Sequence, residues 1–150
     1  MQVLKAVERV NDRKKCMLFK KLEKHYGGEL KGRTVALMGL AFKFETEDMR
    51  KAPSLVLTGR LLEVGCKVKV YDPVAMEECR RRMGARVTYC RDIYDAAKDA
   101  VMMVTEWKEF RVPDWPTVKS LMRTPIVLDG RNIYDTNELR KNGFVYYKIG

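Results

Sequence analysis

The stretch TVALM at residues 34–38, followed directly by Gly39, decides the fold that the sequence predicts. A short apolar run of this kind is typical of a strand buried on both faces, and a glycine after it allows a tight turn. A helical segment, Ser54 to Glu63, follows, with Pro53 suited to its first turn. A second strand, KVKVY at residues 67–71, comes next. A strand, a helix and a strand in this order predict a parallel sheet.

The same alternation continues to the end of the chain. We predict further strands over 86–89, 100–104, 126–128 and 144–147, and further helices over 74–83, 93–97, 115–122 and 136–141. The fold class is therefore α/β, a Rossmann-like parallel sheet with helices on both faces. Residues 2–25 carry apolar side chains at helical spacing and end at Gly27 and Gly28, which predicts a long N-terminal helix before the sheet. We expect that this helix continues a larger protein.

The composition indicates a soluble globular domain. The 150 residues have a mass of 17.5 kDa, and 46% of them are hydrophobic, which disfavours disorder. The apolar runs are too short to span a membrane, and no apolar signal segment follows Met1. None of the four cysteines forms a CxxC pair and only one histidine is present. We therefore expect a cytoplasmic protein with free thiols and no metal site.

The charge of the chain favours anionic partners. The formal net charge is +10 and the pI is near 9.5, which suits nucleic acid, an anionic membrane surface or a phosphorylated small molecule. The basic runs at 13–15, 20–21 and 80–82 fall on amphipathic helices, where a solvated outer face is the usual explanation. No nucleic-acid-binding motif accompanies them. Nucleic acid is therefore the second hypothesis.

The loop after the first strand is the first candidate site. Lys43 and Arg50 lie in it, next to a helix N-terminus that itself favours anions. The dinucleotide pattern GxGxxG is missing, since only Gly39 is present. Asp72 ends the second strand where a ribose-binding acid would lie, but it is farther from Gly39 than the roughly 20 residues expected. An ordinary surface loop with two solvated cations is the alternative.

Two other strand ends carry candidate residues. Asp129-Gly130-Arg131-Asn132 follows the strand at 126–128, and Arg131 offers a planar set of donors for a phosphate or a carboxylate. The alternative is a turn in which Asp129 pairs with Arg131. Trp107 and Phe110, in the segment TEWKEFR (105–111), could stack on a flat ring, although packing against the domain is favoured. Two cationic loops at one sheet edge together favour a phosphate site.

Four segments then resemble one family. GLAFKFETEDMRKAPS (39–54), YDPVAMEE (71–78), TEWKEFR (105–111) and DGRNIYD (129–135) are similar to the C-terminal domain of bacterial UDP-glucose 6-dehydrogenases. AVERVNDRKK (6–15) resembles the end of that family's central helix, which carries the dimer contact. The resemblance implies a linking helix over 1–28 and a UDP-sugar-binding domain over 29–150. Dehydrogenases of UDP-N-acetylmannosamine and GDP-mannose share a similar first loop.

The resemblance also implies an activity and site residues. The family oxidises UDP-glucose to UDP-glucuronate in two hydride transfers to two NAD, within nucleotide-sugar metabolism and polysaccharide biosynthesis. By matching motifs, Phe42, Lys43 and Arg131 would contact the UDP-sugar, and Arg50 would reach toward NAD. A cytoplasmic homodimer that binds neither nucleic acid nor membrane is implied.

The departures from the family pattern predict that this chain is inactive alone. It has no GGSCFPKD-like segment with the catalytic cysteine, so we assign no catalytic residue and interpret all four cysteines as structural. Without a GxGxxG domain, NAD would be bound mainly elsewhere. Phe44 stands where the family commonly has proline. The alternatives are part of a UDP-N-acetylhexosamine dehydrogenase and a basic nucleic-acid-binding module.

Overall fold

A parallel sheet forms the centre of the protein. The computed structural model describes residues 17–40, 53–73, 76–104 and 110–148. The described strands are β1 (Thr34–Met38), β2 (Lys67–Tyr71), β3 (Thr88–Tyr89), β4 (Ala100–Met103), β5 (Ile126–Asp129) and β6 (Val145–Lys148). They pair in the order β3-β2-β1-β4-β5-β6, and every pairing is parallel. The predicted fold class is confirmed.

Helices occupy the connections between the strands. They are α1, described over 17–25, α2 (Pro53–Glu63), α3 (Met76–Met83), α4 (Ile93–Ala96), α5 (Trp115–Leu121) and α6 (Thr136–Lys141). The carboxylates of Asp92, Asp114 and Asp135 accept hydrogen bonds from the first amides of α4, α5 and α6, which explains where these helices begin. None of the helices described combines the length and apolarity of a membrane span.

The predicted third strand was too long. We expected a strand over 86–89, but β3 has only two residues because Gly84–Arg86 forms a turn of 3-10 helix. The hydroxyl of Tyr89 donates a 2.6 Å hydrogen bond to the Gly84 carbonyl and so holds this turn against the strand. The predicted starts of the first helix and of α3 lie outside the described residues.

The side chains of each strand divide between two apolar layers. Val35 and Leu37 belong to the layer that contains α1 and α2, whereas Ala36 and Met38 belong to the layer that contains α4, α5 and α6. This alternation follows from the two-residue period of a strand. Because both faces are covered, β1 is buried along its whole length, as its unbroken apolar sequence predicts.

Helix α1 covers the part of one face that the crossover helices leave open. Leu18 and Leu22 pack in the same cluster as Met102 of β4 and Leu128 of β5. The hydroxyl of Tyr26, just after α1, donates a 2.7 Å hydrogen bond to the Asp99 carbonyl at the start of β4. The described part of the leading helix is therefore integral to the core of the α/β domain.

Candidate functional site

Three loops leave the carboxyl edge of the sheet side by side, after β1, β4 and β5. The backbone amide of the first residue of each loop donates a hydrogen bond to the carbonyl of the last residue of a neighbouring strand. The pairs are Gly39 to Tyr71 (2.8 Å), Val104 to Met38 (3.0 Å) and Gly130 to Met103 (2.8 Å). Since adjacent strands are about 4.8 Å apart, the β1 and β5 loops begin about 10 Å from each other with β4 between them. The chain order reverses between β1 and β4, which is where doubly wound sheets bind ligands.

Asp129 organises the loop after β5. Its carboxylate is completely buried. Oδ1 accepts a hydrogen bond from the Arg131 amide at 2.9 Å. Oδ2 accepts three, from the amides of Ile133 (2.8 Å) and Tyr134 (3.1 Å) and from the hydroxyl of Tyr146 (2.6 Å). Four neutral donors thus compensate the buried charge, and the backbone folds around it.

The guanidinium of Arg131 is left out of this arrangement. The turn that we considered from the sequence does pair Asp129 with Arg131, but through the backbone amide rather than through an ion pair. Arg131 is exposed, and no carboxylate in the described part of the chain lies within ion-pair distance of it. Asn132 has a φ of 55°, a left-handed conformation that asparagine tolerates. Within the described ranges, Arg131 is therefore a cation without a carboxylate partner, on a fixed backbone at the carboxyl edge.

Tyr134 joins the β5 loop to the segment after β4. Its hydroxyl donates a hydrogen bond to the carbonyl of Phe110. Burial, together with the charge of Asp129, raises the pKa of the Tyr134 hydroxyl far above its usual range, so the group remains a donor at working pH. Phe110 is buried, and its ring meets Tyr71 edge-on at 5.8 Å. The favoured interpretation of Phe110 as a packing residue is confirmed; Trp107 lies outside the described residues.

Asp72 does not fit the ribose-binding role considered from its position after β2. Its side chain is 2% exposed, and its Oδ2 accepts a 2.9 Å hydrogen bond from the Leu40 amide. The carboxylate therefore fixes the first residues of the β1 loop. The motif Asp-Pro after a strand predicts a turn. The structure adds that the aspartate accepts a hydrogen bond from an amide that follows the neighbouring strand β1.

The other predicted site residues lie outside the described residues. Phe42, Lys43 and Arg50 all belong to residues 41–52, between Leu40 and α2. Their roles remain predictions. Of the predicted UDP-sugar contacts, the structure therefore describes only Arg131.

Sequence reasoning missed Tyr134 and Tyr146 as parts of the site. Tyr146 lies in β6, and its hydroxyl crosses to the end of β5. The available signal was the sequence VYYK, in which alternation turns one tyrosine toward a buried layer, where its hydroxyl needs a partner.

The described cysteines are buried thiols. Cys66, Cys79 and Cys90 are free and buried. Burial raises the pKa of Cys66 and of Cys79 to about 11, which keeps both in the unreactive protonated form. No group of three possible metal ligands occurs among the residues described.

The basic run on α3 is partly engaged by its neighbours. Arg81 and Arg82 lie 3.3 and 3.6 Å from the carboxylate of Glu78. Arg80 lies over the ring of Tyr89, 5.1 Å from its centre. These contacts are those of a solvated helix face with local partners.

Comparisons with known proteins assign most of the chain to one family. Residues 36–136 match the model of the UDP-glucose/GDP-mannose dehydrogenase family, UDP binding domain. The UDP-glucose 6-dehydrogenase of Pseudomonas aeruginosa is 46% identical over 99% of this chain and 34% of its own length. That of Rhizobium meliloti is 38% identical over 100% of this chain and 35% of its own length.

A solved structure has the same fold. The UDP-glucose dehydrogenase of Pyrobaculum islandicum superposes with a TM-score of 0.71 at 33% identity, over 95% of this chain and 31% of that one. The chain thus spans about a third of the length of the relatives it matches.

Proposed function

The chain belongs to the UDP-glucose/GDP-mannose dehydrogenase family, and we propose that it is the UDP-sugar-binding part of an NAD-dependent UDP-glucose 6-dehydrogenase. The proposed reaction of the whole protein oxidises UDP-glucose to UDP-glucuronate in two hydride transfers to two NAD. The observation that best supports the proposal is the exposed guanidinium of Arg131, which pairs with no carboxylate of the described residues, on the loop that Asp129 fixes within the matched domain.

The chemistry of Arg131 suits the diphosphate of a UDP-sugar. A guanidinium presents parallel N–H donors that match two phosphate oxygens, and it stays charged at every working pH. The net charge of +10 adds a long-range attraction for such an anion. Phe42 and Lys43 are proposed to complete the contact from the β1 loop, on the strength of their resemblance to the family motif.

The described residues do not fit a complete dinucleotide site. The loop after β1 begins with Gly39 and Leu40 rather than with a glycine-rich turn, and Asp72 is bound to the Leu40 amide. We therefore propose that NAD is held mainly by other parts of the protein, with Arg50 reaching toward it from this chain.

Catalysis is not expected from this chain alone. A thiohemiacetal or thioester intermediate needs an accessible thiolate, whereas the thiols of Cys66 and Cys79 are buried with raised pKa values and Cys90 is buried as well. We propose that the chain binds and orients the substrate for a nucleophile located elsewhere.

The remaining proposals concern the longer protein. Residues 1–28 are proposed to be the end of a linking helix that carries a homodimer contact, and residues 29–150 the UDP-sugar-binding domain. The packing of Leu18 and Leu22 into the core supports a helix rigidly attached to this domain. A cytoplasmic location and a role in polysaccharide biosynthesis follow from the resemblance.

Titration calorimetry of the chain with UDP-glucose tests the proposal, with NAD and a short DNA duplex as parallel titrants. We expect UDP-glucose and UDP to bind, and Arg131→Ala and Lys43→Ala each to weaken binding by about 10-fold or more. Arg140→Ala is the matched control, because it removes the same charge from an exposed position on α6. Binding of DNA that UDP-glucose does not displace would contradict the proposal and favour the nucleic-acid-binding module.

A further inference from the structure

Two buried hydroxyls connect the loops of the carboxyl edge. The Tyr146 hydroxyl donates to Oδ2 of Asp129 at 2.6 Å and also lies 3.2 Å from the Tyr134 carbonyl. The Tyr134 hydroxyl reaches the carbonyl of Phe110, at the end of the segment after β4. We call Asp129, Tyr134 and Tyr146 the Asp129 network. It extends from β6 across β5 to the segment that follows β4.

The hydroxyl of Tyr146 is not needed for packing. Its ring lies among aromatic side chains, with the ring of Tyr134 6.5 Å away in an edge-on arrangement, and a phenylalanine would fill the same volume. Burying a hydroxyl is unfavourable unless it is hydrogen-bonded. The specific consequence of the hydroxyl is therefore its bond to Asp129, which fixes the rotation of that carboxylate.

The orientation of the carboxylate determines where Arg131 stands. Oδ1 holds the Arg131 amide, while Oδ2 holds the amides of Ile133 and Tyr134, so both ends of the turn depend on one rigid group. The side chain of Arg131 makes no ion pair with the described residues, and the backbone from which it extends is held by Asp129. A guanidinium must be well oriented to bind a phosphate through two hydrogen bonds.

We propose that Tyr146 is a positioning residue for the binding of the nucleotide diphosphate: it orients the Asp129 carboxylate, and Asp129 in turn holds the backbone from which Arg131 extends. The inference rests on the proposed function of Arg131. Tyr146 would thus act on the site from β6, through the Asp129 carboxylate and the backbone of the loop.

The first test is amide hydrogen exchange of the folded chain, measured by NMR for the Tyr146→Phe variant. We expect exchange at the Arg131, Ile133 and Tyr134 amides to accelerate by about 10-fold, since one hydrogen bond to their shared acceptor is lost. Exchange at β1 amides should stay unchanged. Tyr89→Phe is the matched control, because it removes an equivalent hydroxyl bond from the opposite end of the sheet. Unchanged exchange in all three loop amides would overturn the positioning role.

The second test is a double-mutant cycle in UDP affinity, followed by NMR titration, which reaches millimolar affinities. Tyr146→Phe should weaken UDP binding about 5-fold in the unsubstituted chain and have no further effect in Arg131→Ala, because it acts through Arg131. Equal effects in both backgrounds would overturn the positioning role. If the unsubstituted chain fails to bind UDP, the proposed function itself is wrong, whereas unimpaired binding by Tyr146→Phe contradicts only the inference about Tyr146.

Discussion

Two buried aspartates at opposite edges of the sheet have their carboxylates compensated by different kinds of hydrogen-bond donor. Asp99, at the amino edge, is 2% exposed, and its Oδ2 accepts hydrogen bonds from the Thr34 amide and from the Arg123 guanidinium, both at 2.7 Å. Asp129, at the carboxyl edge, accepts hydrogen bonds from amides and a hydroxyl alone among the described residues, and the guanidinium of the nearby Arg131 forms no ion pair with any of these residues.

The difference shows how a fold keeps a cation available for a ligand. An arginine that compensates a buried carboxylate is committed to the structure, as Arg123 is. Where backbone amides compensate the carboxylate, the adjacent arginine contributes little to folding and can bind an anion instead. At the amino edge, the Tyr26 hydroxyl binds the Asp99 carbonyl and so attaches the end of α1 to the sheet. The loops of the candidate site leave the sheet at the carboxyl edge.

The largest effect should come from removing the acceptor at the carboxyl edge. Asp129→Asn replaces one carboxylate oxygen with an amide group that cannot accept, which leaves buried donors unsatisfied. We expect the free energy of unfolding to fall by about 3 kcal/mol. Urea denaturation measures it. Asp135→Asn is the control, since asparagine caps a helix as well as aspartate and should change stability by less than about 0.5 kcal/mol. Equal, small losses in both variants would contradict the role of Asp129.

The next largest loss of stability should come from removing the arginine at the amino edge. Arg123→Ala removes a charged donor from a buried carboxylate, and we expect a loss of about 1 to 2 kcal/mol, reduced because Arg123 is 59% exposed and screened by water. Arg131→Ala should change the free energy of unfolding by less than about 0.5 kcal/mol. Urea denaturation of the two variants under the same conditions checks this. A larger loss of stability for Arg131→Ala than for Arg123→Ala would contradict the different roles of the two arginines.

Much of the fold could be predicted because its signals are local. The bounds of β1 follow from an apolar run that ends at a glycine, and those of β2 from an alternating pattern that ends at Asp72-Pro73. The predicted β3 was too long, because the competing turn at 84–86 is stabilised by side-chain hydrogen bonds from Tyr89 and Arg86 to backbone carbonyls, which the strand pattern does not show. Short strands at a sheet edge depend on such contacts.

The site was less predictable because its partners are distant in sequence. Arg131 stood out from its position after a strand, but Tyr146 reaches Asp129 only because β6 pairs with β5. For Asp72 the sequence could not show burial, so a structural acid was considered as a ribose ligand. Hydrogen bonds between residues that are distant in sequence decide both roles.

Alkaline pH should destabilise the protein, with a contribution specific to the carboxyl edge. Burial raises the pKa of the Cys66 and Cys79 thiols from 9.0 to about 11, so their contribution to stability is full below pH 9 and is lost as pH rises through 11. Burial and the hydrogen bond to Asp129 also raise the pKa of Tyr146 above its usual value of 10.0. The loss of stability therefore continues as the pH rises above 10.

Urea midpoints between pH 8 and pH 11.5 measure this loss. Tyr146→Phe should reduce the decrease in the free energy of unfolding above pH 10, by an amount on the order of 1 kcal/mol. The decrease between pH 9 and pH 10 should stay unchanged. Identical profiles above pH 10 would show that the tyrosine at the carboxyl edge does not contribute to the pH dependence.

The smallest effect concerns His25, at the amino edge. Burial, followed by the charge of Arg33, lowers the pKa of His25 below its usual 6.5. Its contribution to stability is therefore present above pH 6.5 and is lost as pH falls through the lowered pKa. His25→Gln, which can keep the hydrogen bond to the Tyr147 hydroxyl, should reduce the stability difference between pH 7.5 and pH 5 by less than about 1 kcal/mol. Urea midpoints of both proteins check it, and an unchanged difference would contradict the assignment.

UDP titration of Arg131→Ala and Arg123→Ala by calorimetry tests most directly whether the two edges use their arginines for different purposes. We predict that Arg131→Ala weakens UDP binding by about 10-fold or more while Arg123→Ala binds with the affinity of the unsubstituted chain, at a temperature where both are folded. Equal affinities in the two variants, or a greater loss in Arg123→Ala, would contradict the assignment of Arg131 to phosphate binding.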